Sequence, residues 1–230
     1  MTEYKMQLLC LCLLLFIGVY HLRCKRLQTT AVKLFDRIIS VAIINIVFDI
    51  ITVHTVNHLD QVPAGLNRFV HQIFIGSMNL YIFLVCIYII QGIRDYKNFT
   101  RRLKLSLTAP LIFAWIIIAF GPISYNTSGR IAYSYGWVPT TCYILVVVYI
   151  GISLYYCFRY WKQIDIQKKN AMLPALFIMA LVAVIQKLYP ESLISAMAVI
   201  LMVFSIFISL ENPSDYIDKK SGVYNVEGFS

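Results

Sequence analysis

Charge is scarce in this chain, and negative charge scarcest. Its 230 residues carry 11 Asp+Glu and 20 Lys+Arg, together only 13% of the sequence, against 60% hydrophobic residues. A soluble domain is about a quarter charged and about half apolar, so this composition excludes an ordinary soluble domain and points to a polytopic membrane protein. The sequence also lacks the signatures of several chemistries. There is no HExxH, no P-loop, no paired acidic metal site and no CxxC or Cys/His spacing. Gly76-Ser77-Met78 lacks the second glycine of a GxSG serine-protease elbow, and residues 192–210 contain no lysine for a retinal Schiff base. No catalytic residue, metal ligand or cofactor is expected within 1–230. The six cysteines fall in apolar runs or at their basic ends, and all read as reduced packing residues.

What is present is a series of apolar runs, at roughly 6–22, 38–57, 69–91, 105–123, 138–158, 171–188 and 192–210. At 1.5 Å per residue, each is long enough for a hydrocarbon core of about 30 Å. Basic residues gather between alternate runs. Sixteen lie in the first, third and fifth connections and the tail, while only Lys5, Arg68, Arg130 and Lys187 lie on the other side. The positive-inside rule turns that asymmetry into a topology: N-terminus outside, C-terminus in the cytoplasm. The net charge of +9 is thereby explained without nucleic acid as a partner. Lys5 alone precedes the first run and Arg23, Lys25 and Arg26 follow it, so it reads as a retained helix rather than a cleaved signal peptide. The expected fold is an all-α seven-transmembrane-helix bundle over 1–210, with a cytoplasmic segment at 211–230. No internal repeat is visible, and Pro110, Pro122, Pro139 and Pro174 are expected near helix ends, where proline is tolerated.

Polar residues inside spans mark candidate sites. The second run holds Asn45, Asp49, Thr52 and His54, with Asn57 and His58 at its outer end. Asn45 and Asp49 are four apart and share a helix face. An ionised carboxylate at mid-membrane costs about 2.5–3.5 kcal/mol on insertion scales, so Asp49 must face the bundle interior, water or a partner. The third run offers His71, Gln72, Ser77 and Asn79, and the sixth offers Gln186 beside Lys187. A ligand cavity between helices 2, 3 and 6, open to the outside, is one reading for Asn45, Asp49, His54, His71, Asn79 and Gln186. The other is interhelical hydrogen bonding that fixes packing. The outer segment 124–137 carries Tyr125, Tyr133, Tyr135 and Trp137, which form either an interfacial aromatic belt or a lid over that cavity.

The tail carries a resemblance. Asn212-Pro213-Ser214-Asp215-Tyr216 fits the NPxxY of rhodopsin-like receptors, but Glu211 already marks the helix exit, and no DRY-like motif or outer cysteine pair accompanies it. Residues 218–229, DKKSGVYNVEGF, resemble D-x-L-T-G-L-x-N-R-x-x-F, the opening of GGDEF domains: Asp218, Gly222, Asn225 and Phe229 match, while Lys220 and Val226 stand where the family has Leu and Arg. ENPSDYID is similar to the NPEEYID junction of clostridial-type membrane-bound GGDEF proteins, and IQKLYP (185–190) to the LQxxFP turn of their sixth helix. The seven-helix sensor regions of some histidine kinases share the outline. The resemblance implies a bacterial inner-membrane sensor domain. Its stimulus would be small or membrane-borne, and Glu211, Asn212, Pro213 and Asp218 would form a signal-transmitting linker. The partner would be a second copy in a homodimer, and the output domain one of cyclic di-GMP signalling, its catalytic residues lying beyond Ser230. The alternatives are a seven-helix small-solute transporter and a structural or assembly membrane protein.

Overall fold

A computed structural model describes residues 4–23, 29–93, 100–127, 132–164 and 166–210. These form seven α-helices: α1 (Lys5–Arg23), α2 (Thr30–Asn57), α3 (Ala64–Ile93), α4 (Arg101–Phe120), α5 (Trp137–Arg159), α6 (Ile166–Leu188) and α7 (Ser195–Leu210). The chain is therefore all-α in its core, and α1 to α5 are each long and apolar enough to cross a membrane. In α6 and α7 the apolar stretches are shorter, Met172–Leu188 and Ser195–Ile208. The linker residues Glu211, Asn212, Pro213 and Asp218 lie outside the described residues.

α1, α2, α3, α5 and α6 contain their predicted apolar runs, whereas α4 ends at Phe120, short of 123, and α7 starts at Ser195 rather than 192; α2, α3, α4 and α6 begin several residues earlier than their runs. The reason is visible at two caps. Thr29 accepts a hydrogen bond from the Val32 amide, and Thr100 accepts one from the Leu103 amide, so the basic first turns of α2 and α4 are already helical. This extension corrects the placing of two prolines. Pro110 and Pro174 lie inside α4 and α6 rather than near their ends. A proline there removes one backbone hydrogen bond, a loss that other groups in a bundle can absorb.

The helices alternate in direction. Gln7 at the start of α1 reaches the Leu193 carbonyl just before α7, and Tyr20 near the end of α1 packs edge-on against Phe207 near the end of α7. α1 and α7 thus run side by side in parallel. α3 sits in the middle, packed on α2, α4 and α5, while α7 packs on α1, α2 and α6. The core between them holds Phe35, Ile38, Ile46, Tyr81, Ile89, Tyr149, Leu176 and Val203. Many large apolar side chains point outward instead, among them Phe113 (66% exposed) and Val147 (73%). An apolar exterior of this kind suits lipid, not water.

The described parts of the connection after α4, 121–127 and 132–136, are more ordered than a sequence reading of their glycines and polar residues suggests. Ser124–Asn126 (β1) and Tyr133–Tyr135 (β2) pair antiparallel, with Tyr125 opposite Ser134. Asn126 Nδ2 donates to the Tyr133 hydroxyl at 3.0 Å. Gly136 leaves the hairpin at φ +108°, a conformation that side chains rarely adopt. Arg68, in the first turns of α3, donates to the carbonyls of Ala119 and Gly121, tying the hairpin's approach to the bundle.

Candidate functional site

Five helices present one stripe each to a shared cavity of about 160 Å³. The stripes follow the i, i+3, i+4, i+7 spacing that puts residues on one helix face. From α2 come Asp49, Thr52, Val53 and Val56; from α5, Pro139, Cys142, Tyr143 and Val146; from α6, Met179, Val182, Ala183 and Gln186. α3 contributes His71, Phe74, Ile75, Met78, Tyr81 and Ile82, and α7 contributes Ser195, Ala198 and Val199. Ala132, Tyr133 and Ser134 of the hairpin segment, with Pro190 and Leu193 of the α6–α7 turn, complete the wall. The cavity therefore spans more of the bundle than the expected space between helices 2, 3 and 6.

Asp49 lies eight residues before the end of α2, about 12 Å along the axis. It is 3% exposed, and Ser195 Oγ donates to its Oδ2 across 3.5 Å. Gln7, itself 1% exposed, is a second polar neighbour of that carboxyl, and the Gln7 Oε1 has no hydrogen-bond partner. Among the described residues no Lys or Arg pairs with Asp49, and none lines the cavity.

His71 also faces the cavity. Its Nδ1 lies 2.9 Å from the Asn67 carbonyl, an acceptor only, so in the neutral ring Nδ1 carries the proton and Nε2 keeps a lone pair. Its ring meets that of Tyr125 edge-on at 5.0 Å. Burial pushes the Tyr125 phenol above its usual pKa, and the nearby Arg68 charge opposes the shift. Gln186 lines the cavity with its side chain committed: Nε2 donates to the Pro190 carbonyl at 2.9 Å, and Oε1 accepts from the Ile194 amide at 2.8 Å. It holds the α6–α7 turn, in which Leu193 takes the left-handed φ of 46°.

Three candidates lie elsewhere. Asn45 donates to the Phe74 carbonyl and to Ser77 Oγ, at 3.0 and 3.1 Å, and joins α2 to α3. Asn79 donates to Thr141 Oγ1 at 3.0 Å and joins α3 to α5. His54 is exposed, and its ring lies 4.5 Å from that of His58 at a tilt of 33°. Five residues carry it about 140° round the helix from Asp49, onto the opposite face. The structure thus brings Asp49, His71 and Gln186 to one cavity and leaves Asn45, Asn79 and His54 outside it.

Sequence reasoning did not single out Ser195, Gln7, Tyr81 or Tyr143 as site residues. Ser195 and Gln7 each sit within four residues of a helix start, where a polar residue draws no notice. The aromatic outer segment did carry a signal. Tyr133 lines the cavity and Tyr125 packs on His71, as a lid would, whereas Tyr135 (52% exposed) and Trp137 (76%) point away, as a belt would.

A largely apolar cavity with one buried acid, set among helices suited to a membrane, defines the class as an all-helical bundle with a ligand-sized site between its helices. No family model matches the chain, and no curated protein matches it.

Proposed function

We propose that this chain is the transmembrane signal-input domain of a cyclic di-GMP signalling protein of the diguanylate cyclase type. All seven helices span the bacterial inner membrane, with the N-terminus outside and the C-terminus in the cytoplasm. A small-molecule or membrane stimulus enters the cavity from the outside. The protein acts as a homodimer, and α7 passes the change through Glu211, Asn212, Pro213 and Asp218 to a cytoplasmic output domain. The catalytic step belongs to that output domain.

One observation supports this reading above the others. Ser195, Ala198 and Val199 of α7 line the cavity, and α7 is the helix that leads into the GGDEF-like tail. Occupancy that repacks α7 against α2 and α3 would alter the linker by a small rotation or shift, the usual scale of such switches. The sixteen-to-four distribution of basic residues supports the orientation.

The test is cellular cyclic di-GMP in a strain producing the parent protein, with Asp49→Asn compared against wild type. Altered cyclic di-GMP at equal membrane abundance is the expected result. A reading frame with no GG(D/E)EF motif after Ser230 would overturn the reading. So would solute uptake into vesicles by the helical region alone, indifferent to loss of 211–230, which is what a transporter would show.

A further inference from the structure

The hydrogen-bonding character of the cavity is lopsided. Three of its donors are already used: Tyr81 donates to the Val199 carbonyl at 2.9 Å, Thr52 to the Asp49 carbonyl at 2.8 Å, and Ser195 to the Asp49 carboxyl. Several acceptors at or beside it keep capacity. Asp49 has four lone-pair sites and takes side-chain hydrogen bonds from Ser195, at a long 3.5 Å, and from Gln7, so acceptor capacity remains, and His71 Nε2 keeps its lone pair. Gln7 Oε1, beside Asp49, lacks any donor. Lys187, next to the lining Gln186, is held over the Tyr143 ring at 5.1 Å and does not line the cavity. A buried carboxylate facing a void, with acceptors around it and no protein cation, is complementary to a ligand that brings positive charge and N–H donors.

Size and walls narrow the class further. An apolar protein cavity of about 150 Å³ holds a benzene ring, so about 160 Å³ admits one ring or a short branched alkyl group. Phe74, Met78, Met179 and Val182 supply apolar surface, and Tyr81 and Tyr143 add aromatic rings, the kind of group that attracts an ammonium ion. We infer that the cavity binds a small organic ammonium compound of about one ring's size, its N–H groups on the Asp49 carboxylate and its apolar body among the α3 and α6 side chains. The inference rests on the ligand-cavity part of the proposed function and does not depend on the cyclic di-GMP output.

The probes are benzylamine and benzyl alcohol, equal in size and differing in charge, titrated calorimetrically into the purified full chain in lipid nanodiscs. Benzylamine should bind saturably, and benzyl alcohol at least about 30-fold more weakly, as expected when a buried charge loses its partner. Asp49→Asn should abolish that preference. Ala183→Phe, which fills the cavity from α6 and keeps the acid, should remove benzylamine binding while leaving the thermal transition in place. If Asp49→Asn does not fold, the two wild-type titrations and Ala183→Phe decide the matter. Equal binding of the alcohol, no saturable binding of the amine, or binding unchanged by Ala183→Phe would each overturn the inference. Amine binding with no effect on cyclic di-GMP would sink the signalling reading alone. A cyclic di-GMP response to Asp49→Asn without amine binding would sink only the ligand class.

Discussion

Ser195 Oγ and Asp49 Oδ2 meet at 3.5 Å across 146 residues of sequence, joining the first turn of α7 to the interior of α2. A second tie to the same helix is shorter: the Tyr81 hydroxyl donates to the Val199 carbonyl at 2.9 Å. Side-chain bonds between membrane helices average about 0.6 kcal/mol, with the strongest near 1.7. Tyr81→Phe should therefore lower stability by about 1 kcal/mol, and Ser195→Ala by less, because its bond is long. Thermal unfolding in detergent ranks the two, and a larger loss in Ser195→Ala would contradict this geometry.

Asn45 and Asn79 offer a paired comparison, since both are almost completely buried on α2 and α3. Asn45 makes two interhelical bonds, whereas Asn79 makes one and leaves its Oδ1 without a partner. Truncation to Ala opens the same volume at each site. Asn45→Ala should cost about 1 kcal/mol more than Asn79→Ala, because the latter also removes a buried unsatisfied acceptor. Denaturation midpoints of the two variants test the order.

The helical framework was legible because its signal is length: apolar runs of membrane-spanning size survive any error in their edges. The faces were not legible, and α3 shows why. Its inward residues, from His71 to Ile82, are no more apolar than its outward ones, since lipid accepts the same side chains as the core. Only polar residues reveal a face in such a helix, which is how Asp49 and His71 could be singled out. Polarity cannot separate cavity from glue, however. Asn45 and Asp49 share a face, yet one bonds α3 and the other borders a void, a difference made by neighbours rather than by spacing. His54 misled for a different reason. Five residues from Asp49 looks near in sequence but falls on the far side of the helix. The hairpin was hidden because its strands are only three residues long, too short for alternation to register as a signal.

Gln186 binds both ends of the turn between α6 and α7, around the left-handed Leu193. Holding a non-glycine residue there costs of order 1–3 kcal/mol, which surrounding contacts must offset. Gln186→Leu keeps the bulk and removes both bonds, so a loss of about 1–2 kcal/mol is expected. Hydrogen exchange should also quicken at the Ile194 amide, whose acceptor disappears. Unchanged exchange there would mean that the turn is held by packing alone.

The hairpin over the cavity depends on two glycines for separate reasons. At Gly121 a Cβ would lie 2.6 Å from the Ile117 carbonyl oxygen and 2.7 Å from a Val138 methyl, so Ala must displace backbone. At Gly136 a Cβ would meet the Pro122 carbonyl oxygen only at 3.9 Å, an ordinary contact, but the φ of +108° penalises any side chain by of order 1–3 kcal/mol. Gly121→Ala should disturb both stability and the packing of Tyr125 on His71. Gly136→Ala should act on the hairpin's exit and leave the Arg68 contacts in place. Tyrosine fluorescence and melting of the two variants distinguish a clash from a conformational strain.

Orientation can be tested at two exposed positions on opposite ends of the bundle, Asp60 in the α2–α3 connection and Lys162 after α5. The distribution of basic residues puts Asp60 outside and Lys162 in the cytoplasm. In a background with the native cysteines replaced by Ala, Asp60→Cys should react with a membrane-impermeant maleimide on intact cells. Lys162→Cys should react only after permeabilisation. The reverse pattern would invert the topology and place the hairpin and its cavity on the cytoplasmic side, where α7 would carry the tail outward. Labelling of both positions on intact cells would mean an even number of crossings between them and would overturn a crossing by each of α3, α4 and α5, which are all long and apolar enough to span.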